Sequence, residues 1–184
     1  IPIPTPSRTA VWPTTQHKRM MLVLTGCVQS SLTPHTNLAT AHVLEQLGIQ
    51  LQPTPSGCCG ALNYHLAAHS AALHQVRKNI DTWWPALEKG AEAIVITASG
   101  CGVFVKEYGH LLRHDPNYAD KAARVSELAR DIGEVLVKED LAPLLPTAAA
   151  KFPTKVALHV PCTLQHGQKL VGLVESLLRR FGFE

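Results

Sequence analysis

Five cysteines carry the chemistry this chain can offer: Cys27, the adjacent pair Cys58-Cys59, Cys101 and Cys162. The pair is the informative one. Neighbouring side chains diverge in a helix or a strand, so two adjacent thiols face one point only where the backbone turns sharply. Gly57 and Gly60 on either side permit that turn and let backbone approach whatever the sulphurs hold. Thiolates are soft ligands, and sets of four suit a zinc ion or an iron–sulphur cluster. The C-x-x-C spacing of zinc ribbons is absent, because Ala98 stands three residues before Cys101. Zinc held by distant segments stays open. So does a dithiol redox switch at Cys58-Cys59, although a disulfide between neighbours is strained.

Thiols this far apart in sequence meet only if the fold brings them together. Residues 20–24 form a short apolar run that reads as a buried strand ending at Gly26-Cys27. A helix capped at Thr36 and stopped by Gly48 follows, then a strand over 49–54 that delivers the chain to Cys58. Helical periodicity covers 61–87 in two or three pieces, with Pro85 near the end. The run 93–97 is a third strand, arriving at Ser99-Gly100-Cys101. Residues 103–113 and 120–138 read as helices, 155–160 as a fourth strand ending at Pro161-Cys162, and 165–180 as a last helix. This order predicts an α/β fold, a mostly parallel sheet with flanking helices and with cysteines at the carboxyl ends of its strands. In such sheets the strand ends form the crevice where ligands sit, so Cys27, Cys58, Cys59 and Cys101 are expected to converge there.

The order strand–Cys–Gln–helix–Gly occurs twice. Gly48 lies 21 residues after Cys27, and Gly182 lies 20 after Cys162. Cys58 follows Cys27 by 31 residues, and the same interval from Cys162 ends near position 193, beyond Glu184. The expected organisation is therefore a Pro- and Thr-rich linker (1–17), a first cysteine-rich domain (18–140), a connector (141–154), and the opening strand and helix of a second similar domain (155–184).

Composition excludes several classes. With 46% hydrophobic and 17% charged residues the 184-residue chain can build a proper core. A net charge of +3 spread along the sequence gives no basic stripe for nucleic acid. No apolar run approaches the ~18 residues of a membrane-spanning helix, and no secretory signal is recognisable. An odd number of cysteines, two of them adjacent, speaks against a secreted disulfide framework and for a reducing, cytoplasmic setting. His35, His65 and His159 read as ordinary hydrogen-bonding histidines rather than ligands. Of Trp83 and Trp84, one ring belongs in the core and the other must point away. Lys106 and Glu107 read as a solvated helix face.

Cys27, Cys58-Cys59-Gly60 and Cys101, in that order, resemble the CCG cysteine-rich domain found in heterodisulfide reductase and in related dehydrogenase subunits. The segments Gly57-Cys58-Cys59-Gly60-Ala61, Asn79-Ile80-Asp81-Thr82-Trp83-Trp84-Pro85, Thr97-Ala98-Ser99-Gly100-Cys101-Gly102, Phe104-Val105-Lys106-Glu107-Tyr108-Gly109 and Pro161-Cys162-Thr163-Leu164-Gln165-His166 are similar to the iron–sulphur subunit of glycolate oxidase, and the resemblance runs over 18–184. It implies an oxidoreductase subunit relaying electrons from a flavoprotein that oxidises glycolate toward the respiratory chain. It further implies a [4Fe–4S]-type cluster on Cys27, Cys58, Cys59 and Cys101, with Cys162 as a further candidate, and no catalytic residue in this chain. FAD is expected on partner flavoprotein subunits, and the complex at the inner face of the plasma membrane. Ala98 removes one cysteine from the full family pattern, so four ligands rather than five are expected. The two ferredoxin-type motifs of the family's amino-terminal part do not occur in these residues. The alternative is a zinc-bound or metal-free module that docks the flavoprotein subunits.

Overall fold

A computed structural model describes residues 11–55, 57–145 and 155–184. Its centre is a four-stranded sheet: β1 (Arg19–Val23), β2 (Ile49–Pro53), β3 (Ile94–Ile96) and β4 (Ala129–Asp131). The spatial order is β2-β1-β3-β4, and every pairing is parallel. Nine α-helices accompany it among the described residues: α1 (Val28–Leu32), α2 (His35–Gln46), α3 (Ala61–His65), α4 (His69–Glu88), α5 (Ser99–Lys106), α6 (Tyr108–Leu111), α7 (Ala119–Leu128), α8 (Ile132–Leu136) and α9 (Leu173–Arg180). The α/β expectation is met.

The unbroken apolar runs of β1 and β3 follow from a sheet covered on both faces. Leu22, Leu24, Ile94 and Ile96 turn to one side, where Val76, Ile80 and Trp83 of α4 and Phe104 and Val105 of α5 bury them. Met21, Val23 and Val95 turn to the other, against Ala41 and Leu44 of α2 and Val135 of α8. Trp83 is fully buried and donates its indole N–H to Thr54 Oγ1 at 3.1 Å. Trp84 lies at the surface under the Lys121 ammonium, so the two rings part as their adjacency requires. Lys106 departs from the solvated reading: it pairs with Glu134 at 2.6 Å.

Two elements differ from the sequence reading. The helix expected over 120–138 is α7, then β4, then α8. Asp131 ends the strand and caps α8: its carboxylate accepts the Gly133 N–H at 2.8 Å, and Glu134 accepts the Asp131 N–H at 2.9 Å. That capping box breaks a helical pattern which apolar spacing alone reads straight through. The strand expected over 155–160 has no regular structure, and the sheet's fourth strand is β4 instead. A strand is held by its ladder partner, and residues 155–160 are joined to none of the four. The helix expected over 165–180 starts late. A π-turn occupies Thr163–Gly167, and Gly172, in the left-handed region at φ +70°, precedes α9. Of the expected linker (1–17) and connector (141–154), residues 1–10 and 146–154 lie outside the described residues.

Candidate metal centre

Three cysteine-bearing turns lie side by side because β2, β1 and β3 are neighbours. Cys27 follows β1 and stands at the start of α1, Cys58-Cys59 follow β2, and Cys101 sits in the first turn of α5, after β3. The chain leaves β1 toward β2 on one side and β3 joins on the other, which makes the β1/β3 boundary the switch point where open α/β sheets bind ligands. Cys27, Cys58, Cys59 and Cys101 all line one cavity there, of about 790 Å³. That volume is within the ~300–1,000 Å³ of ordinary ligand sites. Its walls are mostly apolar, with Leu62, Val103 and Phe104 prominent, and His65, Glu107 and His110 also line it.

The four expected ligands therefore come together, in unequal settings. Cys59 is buried, Cys58 and Cys101 are half-buried, and Cys27 is exposed. The Cys59 thiol donates to Cys101 Sγ at 3.2 Å. Accepting that bond holds the Cys101 thiol below its ordinary range, and the positive end of α5 acts in the same direction. Giving it, together with burial, pushes Cys59 far up. Partial desolvation of the Sγ, in an otherwise exposed residue, raises Cys27, with its neighbour Cys58 adding to the effect. Among the described residues, no three His, Cys, Asp or Glu side chains close together as the ligands of one metal ion.

The turn that presents the pair is held from below. Gly60 stands at φ +97°, and a Cβ there would come 3.3 Å from both Ala72 O and the Phe104 ring. Glycine is required on both counts. Its N–H reaches Cys58 Sγ at 3.4 Å. Asn79 of α4 donates to the Cys58 carbonyl at 3.0 Å, and Tyr108 of α6 donates to the Cys59 carbonyl at 2.5 Å. The turn that presents Cys27 is tied to the end of β3: Gln29 donates to Thr97 Oγ1, Thr97 to Asn37 Oδ1 at 2.6 Å, and Asn37 to the Thr25 carbonyl at 3.2 Å. None of these polar residues was singled out by spacing. Asn79 has Lys78 on one side and Ile80 on the other, and Gln29 has Val28 and Ser30, so the local sequence marks neither of them.

Cys162 is exposed and does not line the cavity. Its neighbour Thr163 does, and bonds Ser99 Oγ at 2.7 Å. Gln168 adds a bond to the Ser99 carbonyl at 3.0 Å, so the segment after Cys162 rests on the amino end of α5. His35 and His159 are exposed and lie outside the cavity lining.

Residues 21–106 match the sequence profile of the cysteine-rich domain family known as CCG. Over those residues the sequence is that of a CCG cysteine-rich domain. It is 56% identical, over 93% of its own length, to the glycolate oxidase iron-sulfur subunit of Escherichia coli, of which it covers 41%. It is 30% identical to a probable glycolate oxidase iron-sulfur subunit of Bacillus subtilis, matching 81% of this chain and 33% of the relative. Lactate utilization protein A of an Exiguobacterium species is also 30% identical, over 80% of this chain and 57% of that protein. The chain thus spans between a third and three-fifths of these relatives.

Proposed function

We propose that this CCG-domain chain is part of the iron–sulphur subunit of a flavin-dependent glycolate oxidase, in which Cys27, Cys58, Cys59 and Cys101 hold a [4Fe–4S]-type cluster. The observation that carries the reading is four thiols lining one apolar cavity at the ends of three adjacent strands. Neighbouring strands are about 4.8 Å apart, so ligands from β2, β1 and β3 are drawn from a front roughly 10 Å wide. Their side chains close that distance, Cys59 Sγ and Cys101 Sγ standing 3.2 Å apart, and four thiolates suit a zinc ion or an iron–sulphur cluster. Four soft thiolates are a donor set that fits such a cluster, and the relatives named iron-sulfur subunits support the cluster over zinc.

Such a group, when bound, supplies one-electron transfer. The chain's own contribution is to fix its position, keep water from it with Leu62, Val103 and Phe104, and tune it through the Gly60 N–H on Cys58 and the amino end of α5. The oxidation of glycolate itself belongs to a flavin on partner flavoprotein subunits, from which electrons pass toward the respiratory chain. No helix among the described residues is long and apolar enough to cross a membrane. Association with the inner membrane face is accordingly assigned to the complex.

Residues 155–184 read as the opening of a second such domain. The offset between Cys27 and Cys162 carries Met21 onto Val156, and that between Gly48 and Gly182 carries Gln50 onto Glu184. In the first copy Met20 stands opposite Gln50, so the parallel ladder places the N–H of Met21 next to the Gln50 carbonyl. Val156 N–H bonds the Glu184 carbonyl at 2.9 Å. Gly48 and Gly182 both follow a helix at positive φ, +72° and +82°.

Anaerobic reconstitution tests the cluster: the protein takes up iron and acid-labile sulphide together and gains broad visible absorbance. A colourless protein with one zinc and no sulphide supports instead a structural docking module. A dithiol switch is favoured by one contact, Cys59 to Cys101 at 3.2 Å, rather than by the adjacent pair. It predicts a metal-free protein that loses two hydrogens on oxidation and yields a Cys59–Cys101 cross-linked peptide.

A further inference from the structure

We propose that Asn79 and Tyr108 are positioning residues for the cluster, setting its reduction potential and its retention through the Cys58-Cys59 peptide. The inference rests on the cluster reading above. Both side chains are fully buried, where an amide and a phenol are costly unless every polar atom is used. Every one is used. Asn79 Oδ1 accepts from Gln75 Nε2 at 3.0 Å, which fixes which way the amide faces. Asn79 Nδ2 then donates to the Cys58 carbonyl and to the Tyr108 hydroxyl, both at 3.0 Å. Tyr108, its hydroxyl thus occupied as acceptor, donates to the Cys59 carbonyl at 2.5 Å. The relay Gln75–Asn79–Tyr108 ends on the two carbonyls of the turn and on no other backbone.

Core packing alone does not require this arrangement, since Leu and Phe would fill the same space without desolvation cost. What the relay does is orient peptides. With both carbonyl oxygens bound by fully buried groups, their negative ends are held in the core and away from the thiols. The Gly60 N–H is left facing Cys58 Sγ at 3.4 Å. Donors at sulphur and the removal of carbonyl oxygens both favour the more negative, reduced state of a thiolate-bound cluster. Releasing the turn therefore lowers the potential and loosens the cluster.

The test uses the reconstituted protein, with Tyr108→Phe, which deletes one hydroxyl. Trp83→Phe serves as control, because it keeps a ring stacked on Tyr108 and removes a buried hydrogen bond in the same core, to Thr54 at 3.1 Å, that ends on neither of the two turn carbonyls. The readouts are the midpoint potential, the spectrum of the reduced cluster by electron paramagnetic resonance, and the rate of iron loss to a chelator. Tyr108→Phe is expected to lower the midpoint, alter the spectrum and release iron about tenfold faster, the factor that one buried hydrogen bond of ~1.4 kcal/mol supplies. Trp83→Phe is expected to melt earlier with potential and spectrum unchanged. Gln75→Ala, which only frees the Asn79 amide, is the milder variant should Tyr108→Phe fail to fold; it moves the same readouts the same way. Wild-type potential and iron release in the relay variants, or equal shifts in Trp83→Phe, overturn the inference while leaving the cluster reading intact. A wild-type protein that takes up no iron overturns both.

Discussion

Gly60→Ala is the sharpest single test of how the paired thiols are presented. The residue sits at φ +97°, and an added Cβ would stand 3.3 Å from the Ala72 carbonyl and from the Phe104 ring. Forcing an alanine into the left-handed region costs about 1–2 kcal/mol. Ala72 belongs to the backbone of α4 and cannot rotate aside, so crowding adds about 1–3 kcal/mol more. Together these come to about 3 kcal/mol, a large share of the ~5–15 kcal/mol that holds a domain folded. At ~2–4 °C per kcal/mol for a chain of this size, the melting temperature falls by about 10 °C. Gly90→Ala separates the two terms, because Gly90 has almost the same φ, +94°, but nothing within 4 Å of its Cβ position. It carries the dihedral cost alone and should melt only about 3–6 °C early. Differential scanning calorimetry gives the two shifts, and iron analysis after anaerobic reconstitution gives the functional consequence. Gly60→Ala is expected to lose most of its iron, Gly90→Ala none. Equal melting shifts, or full iron in Gly60→Ala, would refute the reasoning.

Serine at Cys27, Cys58, Cys59 or Cys101 should each cut bound iron and sulphide by more than half, whereas Cys162→Ser, outside the cavity lining, should leave both at the wild-type level on elemental analysis. Asp131→Ala removes the cap of α8 and should cost ~1 kcal/mol, read as a melting shift of about 2–4 °C. Arg19 donates to both oxygens of Glu139, at 2.7 and 2.8 Å, and holds that carboxyl below its ordinary range. The folded protein thus binds this proton less tightly than the unfolded chain. The pair's contribution is present above the unfolded value of about 4.3 and is lost as pH falls through the lower folded one. Because Arg19 is partly exposed, its size is at most ~1 kcal/mol. Urea titrations of Glu139→Gln should show that acid-linked loss flattened, and an unchanged pH profile would exclude the pair as its source.

The parts of this fold that sequence reveals are those with an unambiguous period. β1 and β3 are buried on both faces, so each is an uninterrupted apolar run, and the cysteine that follows each run marks the strand's carboxyl end. The parts that sequence hides depend on partners. Ala129-Arg130-Asp131 has no strand signature of its own; it is a strand because Ile94 and Ile96 offer it a ladder. Its true local signal was Asp131 three residues before Glu134, a capping box that apolar spacing overlooks. Residues 155–160 show the reverse. They are apolar enough to read as a strand, yet Val156 donates to the Glu184 carbonyl and, among the described residues, to no strand of the sheet. The Gln75–Asn79–Tyr108 relay was invisible for a third reason: single polar residues on apolar faces gain meaning only when their acceptors are known.

The topology also accounts for the adjacent cysteines themselves. The fourth strand ends not in a thiol but in the carboxylate of Asp131, which is spent on capping α8. In the proposed cluster site, three turns, those after β1, β2 and β3, furnish four ligands, so one turn furnishes two. Two thiols from one turn can come from a C-x-x-C at a helix start or from adjacent residues at a sharp bend. The first solution was open to the turn after β3, since Ala98 lines the cavity alongside Cys101, but alanine there declines it. The turn after β2 takes the second, and adjacency then demands the features found around it: a glycine at φ +97°, and hydrogen bonds clamping both peptide carbonyls. On this argument, Ala98→Cys should make the adjacent pair less essential. In that variant, Cys58→Ser should retain more iron than Cys58→Ser alone, and equal retention would count against the division of ligands among the three turns.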